Sequence, residues 1–226
     1  MSILKREIKI TQDGSKTLNI PCWDESYHSK HGALQEAIHV FLKNGLDLIP
    51  TQKSYTVLEF GFGTGLNALL THDWATRNSA SIRYHSLEKF PITHSEWENL
   101  DYAKLLPPQA ENQEIFKKMH SSAWNFEEKI SDFLSLKKIK IDFKLFEPEE
   151  NLYDIVFFDA FGKRVQPELW TFPIFEKIYK ALKKFGLLTT YAANGATQRI
   201  LNELNFNVEK KPGPPGKREM LIAWKN

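Results

Sequence analysis

Cysteine is almost absent from this chain. A single Cys22 excludes an intrachain disulfide and any cysteine-based metal cluster, and it fits a reducing cytoplasm. Long apolar runs are missing as well. Met1-Ser2-Ile3-Leu4-Lys5-Arg6 lacks the hydrophobic stretch of a signal peptide, and no segment reaches the ~20 apolar residues that span a membrane, so a cytoplasmic protein is expected. Charge of one sign is scarce: 30 Lys and Arg against 28 Asp and Glu leave a net of +2, so any contact with nucleic acid must come from local basic patches. Neither an internal repeat nor a low-complexity linker interrupts the 226 residues, a length that suits one well-buried core. Hydrophobic residues at 42% are ordinary for a globular chain. The 13% of aromatics serve either as core or as base-stacking platforms, and composition favours core.

Periodicity divides what is present into strands and helices. Residues 3–20 alternate around Asp13-Gly14, with Ile8 and Ile10 on one arm and Leu18 and Ile20 on the other, which predicts a β-hairpin. Ala33, Leu34, Ala37, Ile38, Phe41 and Leu42 form a helical stripe that Asn44-Gly45 is expected to end. Strands are predicted at 55–60, 82–87, 133–141, 153–158, 186–193, 206–209 and 219–224. Helical segments follow at 66–71, across much of 91–130 with a break at Pro107-Pro108, at 167–184 and at 196–204. Alternation of strand and helix implies a doubly wound α/β fold with a mostly parallel seven-stranded sheet. The last two strands have no helix between them, so the final one should run antiparallel. Residues 1–50 read as an extension packed on a Rossmann-like domain formed by 51–226.

The segment Glu59-Phe60-Gly61-Phe62-Gly63-Thr64-Gly65 is the most informative. Three alternate glycines directly after a strand make a tight turn whose backbone can lie flat against a ligand. Its G-x-G-x-G spacing differs from the dinucleotide fingerprint and from phosphate loops, and no Lys-Ser/Thr follows, which argues against a triphosphate. A sulfonium cofactor with an amino-acid tail suits it better, with Glu59 at the ammonium end and Asn67 adding polar contacts. Glu88 ends the next strand about twenty residues further on, where an acid can accept from both ribose hydroxyls. Asp142 ends the third strand and is placed to accept from an adenine amino group. Lys137, Lys138, Lys140 and Lys144 surround it, and a surface ion pair explains it equally well. Asp159 ends the fourth strand in Phe157-Phe158-Asp159-Ala160-Phe161-Gly162, a carboxylate set in apolar surface beside the reactive methyl group; capping a short turn is its plain alternative.

Five stretches now fall in order: Leu58–Asn67, Glu88-Lys89-Phe90-Pro91, Phe158-Asp159-Ala160-Phe161 with Pro167-Glu168-Leu169-Trp170, Gly216-Lys217-Arg218-Glu219-Met220, and, upstream, Asp24-Glu25-Ser26-Tyr27-His28-Ser29. Together they resemble the methyltransferase domain of MnmC and its stand-alone counterpart MnmD, the tRNA 5-methylaminomethyl-2-thiouridine methyltransferases. The resemblance implies a class I methyltransferase fold and S-adenosylmethionine as cofactor. It further implies N-methylation of the 5-aminomethyl group of the wobble uridine in a tRNA anticodon loop. By carry-over Glu59, Gly61, Gly63, Gly65, Asn67 and Glu88 would line the cofactor site and Asp159 would face the acceptor amine. The FAD-dependent oxidase of MnmC has no room in 226 residues, so the aminomethyl precursor would come from a separate enzyme. The short stretch from Asp142 to Tyr153 and the basic run Phe161-Gly162-Lys163-Arg164-Val165-Gln166-Pro167 depart from the family pattern.

On that reading Asp159 acts as an orienting acceptor of an amine N–H or as a proton acceptor. Lys210, Lys211, Lys217 and Arg218 near the final hairpin, and Lys163 and Arg164 beside Asp159, are candidate phosphate contacts or plain solvated surface. Tyr27 and Trp170 are either base-stacking platforms or core. No metal is implied. Two rival readings share the motifs: a methyl- or aminopropyl-transferase acting on a small-molecule amine, and an inactive methyltransferase fold used as an RNA-binding scaffold.

Overall fold

The computed structural model describes residues 5–226. Strands β1 (Glu7–Ile10) and β2 (Lys16–Ile20) pair antiparallel with Ile8 opposite Leu18, as the alternation requires. Ile3 and Leu4 of the expected hairpin lie outside the described residues. The Asp13 carboxylate accepts from the Ser15 amide and the Thr11 hydroxyl at 3.0 and 2.8 Å, and closes the turn. A short β3 (Glu25–Ser26) adds a third strand on the other side of β2.

The helical stripe begins as α1 (Ala33–Ala37) and winds on as a π-helix over Ile38–Leu46. Asn44-Gly45 marks its end: Asn44 leaves helical geometry (φ −103°, ψ 18°) and the winding closes at Leu46, one residue past Gly45. A Cβ at Gly45 would stand 3.3–3.6 Å from Ile155, Thr189 and Phe157, so its absence lets the helix lie on the sheet.

The main body runs β4 (Ser54–Phe60), α2 (Leu66–Arg77), β5 (Ser81–Glu88), α3 (His94–Glu98), α4 (Gln109–Ser121), β6 (Glu127–Lys129), β7 (Leu134–Lys140) and β8 (Tyr153–Phe158). It continues with α5 (Phe172–Ala181), β9 (Leu182–Thr190), α6 (Gly195–Glu203), β10 (Phe206–Pro212) and β11 (Glu219–Lys225). Sheet order is β10-β11-β9-β8-β4-β5-β7-β6. All seven expected strands are present. The antiparallel β11 is inserted between β9 and β10, which gives the class I methyltransferase arrangement. Edge strand β6 was not legible. Its Glu127-Glu128-Lys129 has no apolar residue, and the region that reads as helical ends in this polar strand.

The helix expected over 167–184 is shorter at both ends. Pro167–Leu169 form a separate 3-10 turn, and α5 starts only after an extended Thr171. Leu182 turns extended (φ −69°, ψ 141°) and opens β9 opposite Tyr153 of β8. Lys183 therefore belongs to a strand, where it pairs with Asp154 at 2.8 Å.

Side-chain alternation along the strands separates two cores. Tyr55, Val57, Ile155 and Phe157 join α2, α4 and the π-helix on one face. Leu58, Phe60, Val156 and Phe158 join α5 and α6 on the other. From β4 the chain adds β5 and β7 on one side and then crosses over to add β8 and β9 on the other, so the crevice beyond the carboxyl ends of the parallel β4 and β8 is where a doubly wound sheet accepts its ligand. The N-terminal π-helix covers the face of β8, β9 and β11 that α5 and α6 leave bare. Among the described residues no helix is long and apolar enough to cross a membrane.

The loop between β10 and β11 docks on this N-terminal layer. His39 shares a 2.8 Å hydrogen bond with the Pro212 carbonyl, and Gly216 (φ +87°) lies flat against the His31 ring. Replacing Gly216 by Ala both strains the left-handed backbone and drives a methyl into that ring. Gly216→Ala should cost roughly 1–3 kcal/mol, read as a lower urea midpoint with an unchanged m-value.

Candidate active site

A cavity of about 290 Å³ opens at this crevice, close to the small end of ligand-pocket sizes. Its floor is the glycine turn after β4. The amides of Gly61 and Phe62 both donate to the Leu87 carbonyl at 3.0 Å, which fixes the turn against the end of β5. At Gly61 (φ +104°) a Cβ would stand 2.8 Å from the Asp159 carbonyl oxygen, so only glycine allows the two strand ends to approach. Gly63 lies under the ring of Tyr27 and donates its amide to Glu88 at 3.0 Å. Gly65 is different. It starts α2 facing backward, where a Cβ would meet His120 at 2.8 Å, and it does not line the cavity. Its requirement here is packing against His120, apart from the cavity lining where a cofactor contact is expected from the sequence.

Glu59 also departs from its expected place. It is fully buried behind the turn, outside the cavity lining, on the same face of β4 as Val57. Ser86, its partner in register on β5, donates to it at 2.5 Å, and Asn67 donates to it at 3.0 Å. Burial pushes this carboxyl up to about 8, so near neutrality it is mostly an uncharged acid. The Nδ2 group of Asn67, in the first turn of α2, also donates to Asp159 at 2.9 Å, bridging the two carboxyls. The amide orientation follows from this pair of acceptors. Asn67 Oδ1 is left buried with no hydrogen-bond partner.

Asp159 follows β8 and lines the cavity. Burial, with a smaller push from Glu36, raises its carboxyl to about 7 against the opposing Asn67 hydrogen bond and Lys217. Glu88 lines the cavity from the end of β5. Its two oxygens accept from the Gly63 and Phe90 amides, and burial raises its proton affinity against those bonds. Asp142 reaches the cavity as well, and it is also the surface ion pair that its lysine neighbours suggest: Lys89 binds it at 2.7 Å and the Lys144 amide at 3.0 Å. Lysine and backbone bonds hold this carboxyl below its ordinary value despite burial.

The substrate candidates divide. Tyr27 lines the cavity, its hydroxyl accepting from Arg6 at 2.9 Å and its ring packed edge-on against Phe161. Trp170 does not serve as a platform. It is buried, donates to the Phe161 carbonyl and packs on Phe158 and Phe175, because α5 begins beside it. Arg164 is tied to Glu25 at 2.7 Å and to the Trp23 and Asp24 carbonyls, so it braces the N-terminal sheet. Lys210 and Lys211 lie in β10 rather than in the loop and pair with Glu219 and Glu209. Lys217 points inward to Glu36 and the Tyr191 ring. Lys163 and Arg218 are exposed, and neither lines the cavity.

Several lining residues carry no sequence signal. Arg6, Trp23 and His28 come from the first 28 residues, and Phe143, Gln166 and Tyr191 from loops beyond β7, β8 and β9. Arg6 is the most connected of them: besides Tyr27 it reaches the Glu96 carboxylate at 3.3 Å and the Phe90 carbonyl at 2.8 Å. His28 is held neutral by burial, at about 4.

Comparison with known proteins agrees with this geometry. A family profile described as S-adenosyl-L-methionine-dependent methyltransferase matches residues 109–226. The bifunctional protein MnmC of Leptospira interrogans, named for tRNA 5-methylaminomethyl-2-thiouridine biosynthesis, is 33% identical over 217 residues, covering 89% of this chain and 32% of that protein. The MnmC of Hydrogenovibrio crunogenus is 28% identical over 234 residues, or 97% of this chain and 34% of that protein. The chain thus spans about a third of the length of these relatives. A crystal structure of MnmC2 from Aquifex aeolicus superposes with a TM-score of 0.78 at 26% identity, covering 98% of this chain and 70% of that one.

Two predictions follow from the linked carboxyls. Glu59→Gln keeps a neutral group whose oxygen accepts from Asn67 while its NH2 donates to the Ser86 hydroxyl oxygen, and should retain cofactor affinity within about threefold, whereas Glu59→Ala strands the Asn67 and Ser86 donors at roughly 1–3 kcal/mol. Calorimetric titration with S-adenosylmethionine and a thermal melt separate the two variants. For Asp159, folding raises the carboxyl above its unfolded value, so its ionisation opposes folding increasingly from about pH 4 to pH 7 and at a constant level above. Asp159→Asn should therefore stabilise the unliganded protein by roughly 1–3 kcal/mol at pH 8 and by almost nothing near pH 4. An equal gain at both pH values would contradict the buried-charge account.

Proposed function

The chain belongs to the MnmC-type family of S-adenosyl-L-methionine-dependent methyltransferases, and from that premise we propose that it methylates the 5-aminomethyl nitrogen of the wobble uridine in tRNA. The carrying observation is the Asn67 bridge, which sets an Asp159 carboxyl at the cavity wall beside an amide oxygen with no partner.

The residues present fit the cofactor. A flat glycine floor at Gly61 and Gly63 leaves room that a Cβ would fill, and the orphaned Asn67 Oδ1 is an acceptor for an ammonium N–H. Glu88, the last residue of β5, would receive the ribose hydroxyls, with Asp142 and Phe143 at the adenine end. When bound, S-adenosylmethionine supplies an electrophilic methyl group on a positively charged sulfur.

The protein's own contribution is placement and proton control. Asp159 accepts an N–H from the acceptor amine and so aims its lone pair; most of the rate gain comes from such orientation. Because this carboxyl sits near half-ionisation at neutral pH, it can also take the proton that the amine sheds. Tyr27 and Phe161, packed edge-on at the cavity wall, would form the acceptor side. An anticodon base must leave its stack to enter a cavity of this size, which matches single-stranded loop recognition. Exposed Lys163 and Arg218 are the remaining candidates for phosphate contact.

Transfer of label from S-adenosylmethionine to tRNA carrying 5-aminomethyluridine, with unmodified tRNA as control, tests the reading. Label on the modified tRNA alone supports it. Binding of cofactor without transfer to either tRNA would sink it and redirect the search to other amines. Asp159→Ala should lower kcat by about 10²-fold or more with cofactor affinity changed little.

A further inference from the structure

Outside the cavity wall, behind Tyr191, two elements that the chain brings together only by folding form a charged pair. Lys217, in the β10–β11 loop, donates to Glu36 of α1 at 2.7 Å. The other Glu36 oxygen accepts from the Ser29 amide at 2.7 Å, and Glu36 is buried. The Lys217 ammonium also sits 3.7 Å from the centre of the Tyr191 ring, whose hydroxyl donates to the Ala160 carbonyl next to Asp159. Both charges are thus anchored, one by a backbone amide and one by an aromatic face, and neither can swing away to solvent without losing bonds.

We propose that Glu36 and Lys217 are positioning residues of the acceptor site, a charge pair locked behind Tyr191 whose two members act on the neighbouring Asp159 carboxyl in opposite directions. The inference rests on the reading that Asp159 faces the acceptor amine. A fully charged carboxylate would trap the amine as ammonium, which cannot attack; a fully protonated one could neither aim the amine nor take its proton. Glu36 pushes Asp159 toward the acid, and Lys217 pulls it toward the anion. The other groups facing Asp159 are the Asn67 amide from α2, the Glu59 carboxyl from β4, and the Tyr84 and Tyr191 phenols from β5 and beyond β9. Burial holds Glu59 mostly uncharged near neutrality and both phenols neutral well above it, so Lys217 and Glu36 carry the full charges.

Opposite charges give opposite shifts, which a merely structural role does not. In protein labelled with carboxyl-¹³C aspartate, the Asp159 resonance is identified by its loss in Asp159→Asn and titrated in three backgrounds. Relative to the parent, the midpoint should fall by about one pH unit in Glu36→Gln and rise by about one in Lys217→Met. Lys217→Arg, which keeps the charge, should restore the parent midpoint. The acid limb of kcat/KM for methyl transfer should move in the same order, since the free amine titrates identically for all variants. Unchanged midpoints, or shifts of the same sign in Glu36→Gln and Lys217→Met, would overturn the proposal. If Lys217→Met fails to fold, the sign in Glu36→Gln decides alone. Failure of the parent protein to methylate tRNA refutes the functional reading instead, and the titration order still tests the pair.

Discussion

Two carboxyl groups on the same face of neighbouring strands share one amide. Glu59 of β4 and Asp159 beyond β8 point toward α2, and the Nδ2 group of Asn67 donates to both. Without that amide each acid would be buried against apolar strand residues with one bond fewer, and burial already raises both. The arrangement depends on the glycine turn, because Gly61 lets the end of β4 touch the backbone of Asp159 and so brings the two strand ends into range of a single side chain. It depends equally on where α2 starts. Gly65 begins the helix, and two residues later Asn67 hangs into the crevice. Strand end, turn, helix start and the second strand end thus form one unit, and the cavity is the space this unit leaves in front of it.

The local part of that unit was legible, and its orientation was not. Strand–glycine turn–helix follows from Tyr55–Asn67 because apolar run, left-handed glycines and helix stripe occur in unbroken order. Which glycine meets the ligand is decided by what lies behind the turn. His120 on α4 stands behind Gly65, more than fifty residues away in sequence, so no spacing argument distinguishes Gly65 from Gly63. Glu59 has the same difficulty. Period-two alternation places it opposite Leu58 and Phe60, but only the pairing of β4 with β5 shows that Ser86 is its neighbour and that it faces inward.

The N-terminal residues show the limit more sharply. Read as an appendage, they instead supply Arg6, Trp23, Tyr27 and His28 to the cavity and a helix that completes the layer over β8, β9 and β11. The hairpin, the helical stripe and the Asp24–Ser29 stretch with Tyr27 are visible there; Arg6 and Trp23 are not, since they carry no motif and meet the site only through long-range packing. For Trp170, where the sequence leaves platform and core both open, the start of α5 decides for core, against Phe175. Lys217 sits in a basic cluster that reads as surface, yet Gly216 bends the loop so that this one lysine turns inward.

The charge pattern around the cavity connects these details to the chemistry. Each cation at its edge is answered: Arg6 by Glu96, and Lys89 by Asp142, which Lys144 also approaches at 3.9 Å. Glu88 and Asp159 are not answered by a salt bridge among the described residues; one accepts from backbone amides, the other from the Asn67 amide. Burial raises both, which is the electrostatic cost of holding acids apart from counter-ions. That cost falls when a positive ligand arrives, because the charged form of each acid then gains an attraction that the empty cavity lacks. A cationic sulfonium cofactor is such a ligand, and a neutral or anionic one is not. The same field that favours the cofactor also favours protonation of an incoming amine, so the proposed reaction needs an Asp159 whose charge is moderated rather than maximal, and burial works in that direction against the pull of the bound cation.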